Sequence, residues 1–463
     1  MATNLKSTLR KKARTISGVT PVAVMTKPTD SCPGRCVYCP NSPDAPKSYY
    51  VDSPANIRAV RCEFDPARQV EMRLKTLTDM GHPTDKVELI IKGGSFTFYP
   101  EEYQYEFVKA CYDALNGCQS ASLKDAKDLN ERGRPRCVAF CIETRPDLCM
   151  ERDVQRLLDF GVTRVEIGVQ TLDDEIHCLT GRGHGVEEVV TATRLLRHYG
   201  FKVDYHWMPG LPGSNPEHDL ELSKVLFNDE RFRPDGLKLY PALVLEGTEL
   251  EKWYREGRYQ PYSDAEMTDL LVDIKNTLPK YVRVHRLMRD IPGGYIVDGI
   301  RDMSIRGVLK KRMEERGLHC RCTRCREYGH RLRDGWRVGK PFLTRMDYDA
   351  LGGKEVFLSY EDENETLFGL LRLRSNEPSS PDGSRKAFVR ELHVFGTEVR
   401  LGERDDTAAQ HKSLGEKLLR EAERVAREEF GTEKLYILSG VGVRDYYRAL
   451  GYDLEGDYMV KEL

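Results

Sequence analysis

Short, β-rich apolar runs recur through the first 290 residues, at 22–25, 87–91, 137–142, 165–169, 203–207, 237–240 and 282–284. Between most of them, at 101–115, 151–160, 186–199 and 264–278, apolar residues return every third or fourth position, the period of an amphipathic helix. Strand then helix, repeated, predicts a parallel sheet with its helices outside, closed fully or partly into a β/α barrel. Chemistry on such a scaffold gathers at the C-terminal ends of the strands. Three segments stand at that place: Lys92-Gly93-Gly94-Ser95, Glu143-Thr144-Arg145-Pro146 and Met208-Pro209-Gly210-Leu211-Pro212-Gly213.

Beyond Gly339 the pattern changes to meandering strands at 355–359, 367–374 and 387–395. One amphipathic helix follows over 413–429, then a strand at 435–438, a short helix near Tyr446 and a final strand pair. This predicts a second, α+β domain. The expected division is a basic arm at 1–20, a first domain at 21–289, a connector at 290–340 and a second domain at 341–463.

Composition narrows the class. Apolar residues make up 40% and charged residues 32%, and no run of about 18 apolar residues could span a bilayer. The expectation is a cytoplasmic chain without a membrane partner. The net charge of -2 hides a segregation: residues 301–340 hold 13 Lys/Arg against 5 Asp/Glu, and 341–463 hold 18 against 25. With the acid-free arm carrying Lys6, Arg10, Lys11, Lys12 and Arg14, this suggests that a polyanion is gripped in one region. Six of the 13 cysteines fall in two tight clusters, which indicates metal binding in a reducing compartment, not a disulfide framework.

The first cluster is Cys32, Cys36 and Cys39, spaced C-x3-C-x2-C directly after the first predicted strand. Cubane iron-sulfur clusters are usually held by four thiolates, so three leave one iron open. An open iron can chelate the amino and carboxylate groups of S-adenosylmethionine. The spacing, with Tyr38 before the last cysteine, resembles the signature of the radical S-adenosylmethionine superfamily, whose glycine pair corresponds to Gly93 and Gly94. The second cluster, Cys320, Cys322 and Cys325, suits a zinc ion closed by one histidine. His285, His319 and His330 are the candidates, and His285, arriving from a strand end, is preferred.

In the second domain, Gln410-His411-Lys412-Ser413-Leu414-Gly415 opens the long helix, where backbone amides make an anion site. The segment resembles the acetyl-coenzyme A signature of the N-acetyltransferase (GNAT) family, with Ser413 where glycine is usual. Tyr446 or Tyr447 stands where that family has a tyrosine facing the thioester.

The pairing itself is specific. Segments 142–147, 168–170, 232–241, 289–292, 389–394 and 439–442 resemble the Elongator catalytic-subunit family of tRNA wobble-uridine carboxymethylating enzymes. The resemblance implies a partial β/α barrel of radical S-adenosylmethionine type joined to an acetyltransferase domain. It implies a 4Fe-4S cluster and S-adenosylmethionine bound by Tyr38, Gly93, Gly94, Glu143 and Gln170, zinc in the connector, and acetyl-coenzyme A at Gln410, Lys412, Ser413, Leu414 and Gly415. It further implies that a radical drawn from the acetyl methyl adds to C5 of the anticodon uridine, and that thioester hydrolysis leaves a carboxymethyl group. The partners would be the tRNA anticodon stem-loop, acetyl-coenzyme A and an electron donor, with the chain a monomer or a homodimer. Glu391 and His393, on one face of a strand, are candidates for activating the hydrolytic water. A protein lysine acetyltransferase with a structural iron-sulfur domain, and a tRNA-binding scaffold, are the alternatives.

Overall fold

The computed structural model describes residues 14–29, 32–302, 304–377, 385–396 and 413–463. The first sheet consists of β1 (Thr20–Met25), β2 (Lys86–Lys92), β3 (Arg136–Thr144), β4 (Arg164–Gln170), β5 (Lys202–Trp207), β6 (Gly236–Leu239) and β8 (Arg283–Arg286), in that spatial order. All its neighbours run parallel, as in the pairings Val22↔Leu89 and Ile142↔Val165. A small ribbon, β7 (Val244–Leu245) with β9 (Ile296–Asp298), lies outside it. Sequential order with right-handed helical crossovers is what a partial β/α barrel requires. β4 is buried along its whole length, and β1 alternates buried and half-buried positions, as befits an edge strand. Side-chain caps fix the outer helices: Asp65 accepts from the Arg68 amide, and Ser263 and Glu266 form a capping box.

The second sheet has the order β10 (Phe342–Ala350), β11 (Gly353–Glu361), β12 (Leu367–Asn376), β13 (Ala387–Val394), β14 (Lys434–Ile437), β16 (Tyr458–Glu462), β15 (Asp453–Glu455). Only β13 and β14 pair in parallel, and the helix Leu414–Glu428 lies between them in the chain. That helix buries Leu414, Leu418, Ala422, Val425 and Ala426, one stripe at helical spacing, against the sheet.

The segment 290–340 differs from a free connector. Its helix Ile305–Glu315 buries Ile305, Leu309 and Met313 in the first domain's core. It also pairs Arg312 with Asp269 at 2.9 Å and Arg316 with Asp273 at 2.6 Å on the helix Asp264–Thr277. Lys310, Arg321 and Arg326 are paired as well, with Asp334, Glu365 and Glu361. Much of the basic excess expected to grip a polyanion is therefore consumed internally. Arg306 and Arg324 have no ion-pair partner among the described residues.

The two domains share a core through Phe357, Leu370, Phe395, Leu438 and Val441, and their contact is heavily charged. Arg390 on β13 grips Asp235 of the first domain with two hydrogen bonds of 2.7 and 2.8 Å and reaches Glu355 at 2.7 Å. Arg444 and Arg448 share Glu131 at 2.9 and 2.6 Å. Gly440 and Gly442 press on the backbone around Arg136–Val138, and a Cβ on Gly440 would collide with the Val138 carbonyl. Gly440→Val is expected to cost roughly 3 kcal/mol by overpacking, read as a lower unfolding temperature and faster proteolysis between the domains.

Candidate functional site: a cysteine-lined cleft and an acyl-site helix

The C-terminal ends of the first sheet's strands open into one cleft, about 1120 Å³ including the solvent at its mouth, with Cys32, Cys36 and Cys39 on its wall. The chain after β1 is held there by backbone bonds from the Arg35 and Val37 amides to the Gly181 and Thr180 carbonyls, each 3.0 Å. Among the described residues, the three sulfurs are not gathered within 4.8 Å of one another, unlike those of the second cluster. Ligands of a single zinc ion, each about 2.3 Å from the metal, would lie closer together. A cubane, in which each thiolate holds its own iron, suits a wider triplet. Burial opposes ionisation of Cys36, but the Arg182 guanidinium, 3.6 Å from its sulfur, together with Tyr38 and Arg145, lowers the thiol's pKa.

Gly93 and Gly94 line the same cleft at φ +143° and +87°, and a Cβ on Gly93 would collide with Thr26. The buried ring of Tyr38 lies beside Cys36 and Cys39. Gln170 ends β4 at φ +74°, a left-handed conformation rare for its type, with its buried Oε1 unpartnered. Glu143, at the end of β3, accepts from Tyr49 at 2.7 Å and Lys238 at 2.8 Å. Burial works against its charge, yet Lys238 and Lys92 hold its pKa at about 2.

In the sequence Lys92, Arg145 and Lys238 stand out only as parts of longer segments, and Arg182 and His206 carry no sign of a site. All of them except Lys238 line the cleft; Lys238 sits beneath it, bridging Glu143 and Glu166. Among the described residues no carboxylate lies within ion-pair distance of the buried Lys92, and burial, with Arg286, lowers its pKa to about 8. Its adjacency to the glycine pair was the one signal available.

The thiols of Cys320, Cys322 and Cys325 all lie within 4.8 Å of one another and are largely buried. No histidine joins them among the described residues. His285, expected as the fourth ligand, instead contacts Asp204 at 2.9 Å and Arg164 at 3.2 Å. The backbone amide of its strand neighbour Val284 faces Cys322, while the imidazole itself is taken up by Asp204 and Arg164. The buried Lys275 reaches the thiols instead, its Nζ 3.9 Å from the Cys325 sulfur.

In the second domain Ser413 adopts φ +52° at the start of the helix, the conformation for which glycine is usual. Gln410 and Lys412 lie outside the described residues. Tyr446 and Tyr447 separate: Tyr447 is buried in the domain core, whereas Tyr446 is 43% exposed with its hydroxyl over Gly415. A Cβ at position 415 would stand 2.9 Å from that oxygen. Leu414 is buried beneath the turn.

Glu391 and His393 do share a face of β13, but that face meets the first domain. Both Glu391 oxygens are occupied, by Lys202 at 2.5 Å and Arg372 at 2.7 Å, and these cations hold the buried carboxyl far below its usual range. A base so paired cannot accept a proton near neutrality. His393 donates its Nε2–H to the Ser17 carbonyl, 2.8 Å away, and it stacks on Phe395. Neither is arranged to activate water.

Comparison with known proteins extends the picture. The Radical SAM superfamily model matches residues 26–226, and the Radical_SAM C-terminal domain model matches 234–315. The chain is 57% identical to the tRNA uridine(34) acetyltransferase of Dehalococcoides mccartyi, over 98% of this chain and 100% of that one. It is 43% identical to human Elongator complex protein 3, over 98% of this chain and 86% of that one. The solved structure of the archaeal Methanocaldococcus infernus Elp3, with an N-terminal deletion, superposes with a TM-score of 0.86 at 44% identity, over 97% of this chain and all of that one. The chain belongs to the family of tRNA uridine(34) acetyltransferases and Elongator complex protein 3, built on a radical S-adenosylmethionine domain.

Proposed function

We propose that this chain modifies the wobble uridine of tRNA, converting it to 5-carboxymethyluridine with carbon taken from acetyl-coenzyme A. The observation that carries the reading is the joining, through one buried and charge-paired interface, of a cleft walled by three thiols and a helix start overhung by Tyr446. A 4Fe-4S cluster with S-adenosylmethionine supplies a deoxyadenosyl radical when bound, chemistry that protein side chains lack. The residues present fit that group: three thiols set apart, a cation at Cys36 and glycines where a backbone must approach closely.

The chain's own residues divide the remaining work. Cys32, Cys36 and Cys39 hold the cluster; Tyr38, Gly93, Gly94, Glu143 and Gln170 shape the S-adenosylmethionine seat. Glu143, kept ionised, accepts hydrogen bonds and cannot serve as an acid near neutrality. Ser413, Leu414 and Gly415 offer backbone amides to a pyrophosphate, and Tyr446 orients the thioester. An unpaired anticodon base suits this cleft, because a single-stranded loop presents a splayed nucleotide at low cost. A protein acetyltransferase would leave the cysteine cleft without a task.

Tyr446→Phe is expected to lower acetyl-coenzyme A turnover about 100-fold with an unchanged unfolding temperature, since the ring is half exposed. Zinc is proposed at Cys320, Cys322 and Cys325, with Lys275 offsetting the negative charge of three thiolates. Elemental analysis of Cys322→Ser should show zinc lost and iron kept. The function itself is tested by anaerobic incubation of the reconstituted chain with tRNA, acetyl-coenzyme A and S-adenosylmethionine, then nucleoside mass analysis. Absence of carboxymethyluridine alongside peptide acetylation would overturn the reading.

A further inference from the structure

The loop that carries the cysteine triplet rests on a second loop, Thr180–His184, contributed by the chain after the helix Asp174–Leu179. The packing leaves no room for larger residues. A Cβ on Gly181 would stand 2.9 Å from the Arg35 carbonyl, and one on Gly34 would collide with the Arg145 guanidinium. At the centre of this contact lies Arg182, only 7% exposed. Each edge of its guanidinium is engaged: Nη1 donates to the Cys36 sulfur at 3.6 Å, Nε to His184 Nε2 at 2.8 Å, and Nη2 to the Gly168 carbonyl.

His184 can accept at Nε2 only as the neutral ring protonated on Nδ1, which faces the Gly185 carbonyl at 3.2 Å. It holds Arg182 without cancelling its charge. No carboxylate pairs with Arg182 among the described residues; Asp147, whose charge does act on it, is engaged by Arg145 at 2.9 Å through both oxygens. Arg145 also donates to the Arg182 carbonyl at 2.9 Å, while its Nη1 is buried without a partner on the cleft wall. A buried cation normally has a counter-charge. Among the described residues, the group able to carry negative charge that touches Arg182 is the Cys36 thiol.

We infer that Arg182 is a positioning residue for the iron-sulfur cluster, fixing the Cys36 thiolate and making the cluster easier to reduce. Three thiolates leave a cubane negatively charged, and reduction adds one electron more. A fixed positive charge and an N–H···S bond stabilise the reduced form more than the oxidised one, and so raise the reduction potential. The inference rests on the assignment of the triplet to a cluster, and iron and sulfide content keeps the two apart.

The test is an anaerobic redox titration of the reconstituted full chain, followed by the electron paramagnetic resonance signal of the reduced cluster without S-adenosylmethionine or any substrate. Arg182→Met with full iron content should show a reduced-to-oxidised ratio at least tenfold lower at a fixed potential, a shift of about 59 mV for one electron. Arg182→Lys should recover part of it. An unchanged midpoint in Arg182→Met with full iron would overturn the inference. Should that variant fail to hold iron, wild type labelled with 15N-arginine decides: a 15N coupling to the cluster that vanishes in Arg182→Lys supports the inference, and no coupling in wild type overturns it. If wild type itself takes up no cluster, both this inference and the assignment fall.

Discussion

Cys36→Ala is expected to give a folded protein that cleaves no S-adenosylmethionine, with modification of tRNA reduced at least about 1,000-fold. Cubane clusters depend on their thiolate ligands, and removing Cys36 leaves the triplet two. Cys32 and Cys39 reach the cleft from the same short loop, which Arg35 and Val37 anchor through their backbones whatever the residue at 36. The fold should therefore survive. Iron content, unfolding temperature and deoxyadenosine production measured on one preparation check this. A variant that still produced deoxyadenosine would remove Cys36 from the site.

Asp235→Ala is expected to cause the largest loss of stability of any single change at the domain contact. Its carboxylate is wholly buried, gripped at two oxygens by Arg390, approached by Arg372 at 3.4 Å, and bonded by the Val203 amide at 2.9 Å. Removing it strands buried guanidinium charge, at a cost of about 3–5 kcal/mol. Burial alone would raise the pKa of Asp235, but Arg390 and Arg372 hold it far below the usual carboxylate range. A depressed pKa contributes stability above the unfolded value, near 4, and that contribution is lost as the pH falls toward the folded value. Wild type should thus lose stability steeply below about pH 4, and Asp235→Asn should lose less over that range while being weaker at neutral pH. Thermal unfolding across pH, with proteolysis to report domain separation, measures both.

The chemistry with local spacing was legible in the sequence, and the chemistry made by long-range contact was not. Cys32, Cys36 and Cys39 lie within one loop, so their spacing alone pointed to the cluster. The seven strands of the first sheet showed as compact apolar runs, most completely β4, which is buried on both faces as inner parallel strands are. β10 was missed: its alternating Thr344, Met346 and Tyr348 are interleaved with Arg345, Asp347 and Asp349, as on an exposed edge strand. Glu391 shows the opposite failure. Alternation placed it correctly on one face with His393, but could not say that Lys202, 189 residues away, would close that face. His285 went to Asp204 for the same reason, and Arg182 gave no signal, since its partner Cys36 lies 146 residues earlier.

The most direct measurement uses acetyl-coenzyme A deuterated on its methyl group, with tRNA and unlabelled S-adenosylmethionine, under anaerobic conditions. If one chain brings the thioester methyl to the radical formed in the cysteine cleft, deuterium appears in 5′-deoxyadenosine and carboxymethyluridine accumulates with it. Deoxyadenosine free of deuterium, formed while tRNA is modified, would contradict the account.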